Sequence, residues 1–254
     1  MENHFNTPAE VVDLSIKACE NKTKLPVGKM ILLGIMAGVF IALGGATSST
    51  AAHAVENVGV ARALAGVIFP VGLMLIVFLG GELFTGNNMV MAMGVYTKTC
   101  KVSDMIKTWV ISYIGNFVGS FILGGLFVWS NASHQILVDY YRSFIYTKLD
   151  ATPMELFVRG VLCNFLVCLA VYTGMKLKSE SGKMIMMFCI ITAFVLAGFE
   201  HCVANMGTFT IGYMLLGDIG TAAVIKSQFF VTLGNIVGGA VLLAFPLKQM
   251  SAEH

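Results

Sequence analysis

His201 is the sharpest chemical signal in the chain. It is the only histidine inside an apolar run long enough to cross a bilayer, and an ionisable group at that depth marks a functional position. The competing reading is a neutral imidazole that only holds backbone. Around it the sequence runs Gly198-Phe199-Glu200-His201-Cys202-Val203-Ala204-Asn205, and 118 residues earlier it runs Gly80-Gly81-Glu82-Leu83-Phe84-Thr85-Gly86-Asn87. Gly80, Glu82 and Asn87 thus align with Gly198, Glu200 and Asn205, while Gly86 meets Ala204. A second pairing, Gly115-Asn116-Phe117-Val118-Gly119 with Gly234-Asn235-Ile236-Val237-Gly238, falls at an offset of 119. Two matches at nearly one offset define an internal repeat. Two carboxylates, two asparagines and one histidine are groups for hydrogen bonding and proton exchange, and no paired metal-ligand or nucleophile spacing accompanies them.

The elements that must position these groups are apolar helices. The 254 residues are 57% hydrophobic and 12% charged, about half the charge of a soluble domain. Mean hydropathy is +0.81. Runs of about 20 apolar residues suit a hydrocarbon core about 30 Å thick. Six spans are expected, at 27–48, 60–97, 105–130, 154–176, 184–216 and 220–246, the second and fifth interrupted at Glu82–Asn87 and Glu200–Asn205. The chain therefore reads as an all-α membrane protein. Each half (about 27–130 and 154–246) holds three spans, and an odd number turns the second half over, giving an inverted 3+3 repeat. First and fourth spans align only loosely, through Gly38-Val39 and Gly160-Val161. Irregular backbone at membrane depth must face protein or a water-filled path. Helices restarting after the breaks would aim positive N-terminal ends inward, which favours an anion.

On that path Glu82 and Glu200 would repel the ion, so they are expected to accept backbone hydrogen bonds in the breaks or to lie away from the pore. Asn87 and Asn205 suit capping of the restarted helices. Asn164, polar within the fourth span, should face a partner or a pore. Lys148 sits in the long connection between the halves, where it either draws anions into a vestibule or is an ordinary solvated lysine. Gly34/Gly38, Gly115/Gly119 and Gly234/Gly238 fit close helix packing.

Residues 1–26 read as an amphipathic N-terminal helix on the cytoplasmic side, opened by the capping box Thr7-Pro8-Ala9-Glu10, and residues 247–254 as a cytoplasmic tail. Lysines at 17, 22, 24 and 29, at 98, 101 and 107, at 176, 178 and 183, and at 248 place both termini in the cytoplasm. Trp109 and Trp129 lie near the ends of the third span, as interfacial anchors do. The six cysteines show no CxxC spacing and read as packing residues. No cofactor or metal is implied, and no basic stripe with aromatics points to nucleic acid.

Phe78-Leu79-Gly80-Gly81-Glu82-Leu83-Phe84-Thr85-Gly86 and Gly160-Val161-Leu162-Cys163-Asn164-Phe165-Leu166-Val167-Cys168-Leu169-Ala170 resemble the two signature motifs of the formate/nitrite transporter family. Phe199 to Met206 resembles its third characteristic segment. The resemblance covers the whole chain and implies an aquaporin-like fold in a homopentamer, with one pore per protomer in the cytoplasmic membrane. It implies that His201 is the central pore histidine with Thr85 beside it, and that Lys148 and Asn164 are pore or vestibule polar residues. It further implies a cytoplasmic constriction of Leu73, Leu83 and Phe84, and an outer one of Phe69, Val167 and Phe194. Family substrates are small monovalent anions of weak acids, and the overall resemblance is greatest to the hydrosulfide-conducting branch, with formate and nitrite next. The alternatives are a neutral-solute channel of the water or glycerol type, whose Asn-Pro-Ala repeats are absent, and a proton-coupled formate/nitrite carrier. An enzyme is not expected.

Overall fold

The computed structural model describes residues 4–132 and 134–251; the first three residues of the N-terminal segment and the last three of the tail lie outside them. Twelve α-helices run through the described residues: α1 Pro8–Lys24, α2 Val27–Ala52, α3 Val58–Ile68, α4 Pro70–Leu79, α5 Phe84–Tyr96, α6 Val102–Trp129, α7 His134–Leu149, α8 Pro153–Lys176, α9 Glu180–Ala197, α10 Cys202–Leu216, α11 Thr221–Ile236 and α12 Phe245–Ser251. A π-helical stretch, Val237–Ala244, joins α11 to α12. Six helical segments are long and apolar enough to span a bilayer: α2, α3 with α4, α6, α8, α9, and α11 through α12.

The second and fifth spans are interrupted, a few residues earlier than the sequence suggested. The chain leaves α4 at Gly80 and α9 at Gly198, both with positive φ (86° and 75°) that a side chain would resist. Helix resumes at Phe84 and Cys202. Glu82 and Glu200 are thus in the irregular segments, while Asn87 and Asn205 are already inside α5 and α10. The 13-residue α5 and 15-residue α10 rise only about 20 Å, so each covers part of the membrane thickness.

The glycines bring the outer helices into backbone contact. A Cβ on Gly34 would stand 3.2 Å from Gly115 Cα, and one on Gly160 3.2 Å from Gly234 Cα. Cβ atoms on Gly38 and Gly234 would collide with the carbonyls of Asn116 and Phe157. These contacts correct the loose alignment of the first and fourth spans. Gly34, not Gly38, is the counterpart of Gly160, at an offset of 126.

At that offset the repeat extends beyond the spans. The connection between the halves is itself a helix, α7, and it is the counterpart of α1: each carries in its last turn a lysine, Lys22 or Lys148, shortly before the next span. The third span also departs from expectation. Trp109 lies two turns inside α6, where its indole N–H donates to Asn87 O at 3.0 Å; it braces the first turn of α5 rather than anchoring at an interface. Trp129, 75% exposed at the end of α6, keeps the anchoring position.

Candidate functional site

The two breaks are held open by asparagines from the third helix of each half. Asn116 Oδ1 accepts the Phe84 amide at 2.9 Å, and its Nδ2 donates to Gly34 O at 2.8 Å and Glu82 O at 2.9 Å. Asn235 repeats the arrangement: its Oδ1 accepts the Cys202 amide at 2.9 Å, and its Nδ2 donates to Gly160 O at 2.8 Å and Glu200 O at 3.0 Å. Both asparagines are fully buried. Each satisfies two backbone groups at its break that leaving the helix would orphan, where an unpaired buried polar group costs about 1–3 kcal/mol, and ties them to a helical carbonyl of α2 or α8. The capping expected of Asn87 and Asn205 is therefore done by Asn116 for α5 and by Asn235 together with His201 for α10. They stand in the second repeat match, and their equal spacing was the signal for their role.

Asn87 and Asn205 instead serve the glutamates. Asn87 Nδ2 donates to Glu82 Oε2, and Asn205 Nδ2 to Glu200 Oε2, each at 2.9 Å. The glutamates also receive lysines. Lys22 Nζ lies 2.8 and 2.7 Å from the two Glu82 oxygens, and Lys148 Nζ 2.9 and 2.8 Å from those of Glu200. Lys148 adds a bond to Asn205 Oδ1 at 3.1 Å, so all three of its N–H groups are used. Its charge also lies 4.8 Å over the Phe144 ring. A Lys–Glu–Asn triad thus stands on each side of the protein, built from α1 with α5 and from α7 with α10. Lys148 is no solvated lysine, because a buried charge persists only when paired and hydrogen-bonded. The glutamates, expected to hold backbone donors or to lie away from the pore, take lysines and asparagine amides rather than backbone donors, since an ammonium is the stronger partner.

His201 sits between the triads and is the N-cap of α10. Its Nδ1 accepts the Ala204 amide at 3.1 Å, and its Nε2 lies 3.0 Å from Thr85 Oγ1 in the first turn of α5, directly after the other break. With Nδ1 occupied as an acceptor, the proton of the neutral ring resides on Nε2 and points to the hydroxyl. The repeat counterpart of His201 is Leu83, so the pair is a departure from the two-fold pattern, made where the breaks touch. Thr85 is fully buried and His201 3% exposed.

Around this polar pair the wall is apolar. Phe69, Leu73, Leu83, Phe84, Val167 and Phe194 all fall in one buried cluster. Phe194 lies 6.2 Å, centroid to centroid, from His201 and 5.4 Å from Phe69. Phe84 turns its ring toward α6, edge-on to Tyr113 at 4.9 Å. Asn164 faces partners: its Nδ2 reaches Thr85 O at 3.2 Å, Asn88 Oδ1 at 3.0 Å and Asn235 O at 2.6 Å. Its amide is consumed in tying α8 to α5 and α11 and has no donor left over. Among the described residues no cluster of three or more histidine, cysteine or carboxylate side chains could hold a metal. The arrangement places an imidazole and a hydroxyl, each with an exchangeable proton, in contact inside an apolar cluster, flanked by charge-neutral triads.

A family profile described as formate/nitrite transporter matches residues 9–248. A probable formate transporter of Methanothermobacter thermautotrophicus is 37% identical, with 96% of each chain covered. A formate channel of Haemophilus influenzae is 29% identical over 98% of this chain and 95% of its own. A formate-nitrite transporter of Plasmodium falciparum is 32% identical over 89% and 78%. Among solved structures, an FNT family ion channel superposes with a TM-score of 0.89 at 27% identity, covering 95% of this chain and 99% of its own. A pentameric formate channel with formate bound superposes with a TM-score of 0.76 at 27% identity, covering 92% and 98%.

Proposed function

Because the chain belongs to the formate/nitrite transporter family, and is thus a multi-pass membrane channel or transporter for small anions rather than an enzyme, we propose that it passes anions of weak acids past His201, hydrosulfide foremost and formate and nitrite also. The observation that carries this reading is the His201 Nε2–Thr85 Oγ1 contact at 3.0 Å, where the two breaks meet inside an apolar wall. A bare ion in such a passage is heavily penalised unless it is paired or neutralised. The imidazole N–H and threonine hydroxyl offer the ion a hydrogen bond, or a proton, at the point of greatest dehydration. An anion whose conjugate acid forms near neutral pH leans least on that help, which favours hydrosulfide over formate on chemistry alone. Formate is the runner-up, supported by the names of the relatives.

In this reading Leu73, Leu83 and Phe84 close the path on the α1 side, and Phe69, Val167 and Phe194 on the α7 side. Lys148 and Asn164 shape the passage from behind, as charge partner and as backbone clamp. The protein acts as a homopentamer with one pore per protomer, as the solved formate channel is pentameric. Exposed apolar residues along α6, Ile106, Val110, Ile114, Phe117 and Phe121 among them, would meet lipid or neighbouring protomers. The lysine distribution puts both termini, the α1 segment and the 247–254 tail in the cytoplasm. His201→Phe tests the reading: formate and hydrosulfide flux in liposomes from pH 5 to 9 should fall, formate more steeply. Wild-type flux with an unchanged pH profile would remove the histidine from the mechanism.

A further inference from the structure

Lys148 is saturated and neutralised, so something else must supply attraction at the α7-side mouth if anions are concentrated there. Lys226 on α11 has the needed character. Its Nζ donates to Leu149 O at 2.8 Å and to Ala151 O at 3.1 Å, the carbonyls flanking the end of α7 directly after Lys148. Among the described residues no carboxylate lies within ion-pair distance of it, and its third N–H has no protein acceptor. Backbone carbonyls orient the ammonium without cancelling its charge, and the residue is only half-buried. Gln228, two positions on, donates to Cys202 O at 3.0 Å, which ties the same stretch of α11 to the start of α10 beside His201.

The repeat gives Lys226 a counterpart and an instructive difference. Lys107 on α6 precedes it by 119 residues and shares a narrow cleft with Lys22, Thr23, Leu25 and Asp104 on the α1 side. Thr23 and Leu25 are the positions equivalent to Leu149 and Ala151 at the offset of 126. One lysine therefore stands at each mouth beside the end of α1 or α7. On the α1 side Asp104 occupies the same cleft, whereas its counterpart on α11 is Ala223. The nearest acidic residue in sequence to the carbonyls that hold Lys226 is Asp150, which is exposed and unpaired with it.

We propose that Lys226 is the residue that captures the permeating anion at the α7-side mouth, ahead of the neutral Lys148–Glu200 pair. This rests on the anion-channel reading above. One unit charge about 7 Å from the approaching ion in water changes its local concentration about threefold, an effect that persists at 10 mM salt and is screened at 1 M.

The test is the initial rate of formate uptake into proteoliposomes sorted for orientation, at low and high ionic strength. Lys226→Gln keeps a donor for the two carbonyls and removes the charge. It should lower low-salt uptake about threefold in the orientation exposing α7, and match wild type at 1 M salt. Lys226→Arg should restore the wild-type salt dependence, and Asp150→Asn should raise low-salt uptake. A Lys226→Gln rate with the wild-type salt dependence would overturn the proposal. So would a loss equal at all salt concentrations and shared by Lys226→Arg, since that is helix capping alone. Wild-type vesicles passing no anion at any salt would instead sink the channel reading itself.

Discussion

The Lys148–Glu200 pair gives the sharpest energetic prediction. Its side chains are 10% and 5% exposed and the ammonium has three acceptors, so water contributes little to either charge. Removing one partner strands the other, at a cost of about 3–5 kcal/mol, whereas replacing both is near neutral. Glu200→Gln keeps the shape and the Asn205 contact while leaving Lys148 without an anion. Stability should be measured by reversible detergent titration for wild type, Glu200→Gln, Lys148→Met and the double variant. Each single change should cost about 3 kcal/mol or more, and the double variant should recover at least half of the summed loss. The Lys22–Glu82 pair, with the lysine 16% exposed, should show the same pattern with smaller amplitude. A Glu200→Gln protein within about 1 kcal/mol of wild type, or a double variant as unstable as the sum, would refute a buried, mutually dependent pair.

Three other outcomes follow from the same geometry. Asn235→Ala orphans the Cys202 amide and the Glu200 carbonyl and cuts the tie to Gly160 O, so the second break should lose hydrogen-exchange protection at a cost of about 1–3 kcal/mol for each orphaned group. Gly38→Ala and Gly234→Ala drive a methyl group into a facing carbonyl and should each lower stability by about 1–3 kcal/mol. Gly28→Ala, where nothing lies within 4 Å, should not destabilise; the same detergent titration distinguishes them. At the N-terminus, the Thr7 amide and hydroxyl hold the Glu10 carboxyl below its usual range. The capping bond should be complete above the unfolded glutamate range and be lost as pH falls through the lowered folded value. Exchange protection of the Thr7 amide reports this, and Glu10→Gln should abolish the pH dependence.

Much of the architecture was legible because two kinds of signal are written in residue type. Apolar length gave the six spans, and the double match at 118 and 119 gave the repeat and located both breaks to within a few residues. The third match was missed because it lies in geometry: Gly34 and Gly160 align through the backbones they touch, and short glycine spacing fits either 122 or 126. With that offset hidden, Lys22 and Lys148 did not appear as equivalents, and α7 passed for a connection. That Glu82 and Glu200 would take lysines was not among the options the sequence offered, because a sequence does not show that a distant ammonium can reach them. Asn116 and Asn235 were in view as repeat markers, yet their capping depends on a contact between spans more than 30 residues apart. His201 and Thr85 could be singled out beforehand; that they touch could not, since 116 residues separate them.

The most direct test of the central claim is selective flux. Purified protein in liposomes should be presented with hydrosulfide, formate, nitrite and chloride in parallel, with osmotic water permeability as the control. The account predicts rapid passage of the weak-acid anions, hydrosulfide fastest, with little chloride and no added water flux. Water or glycerol passing while the anions do not would contradict it and leave only the fold in place.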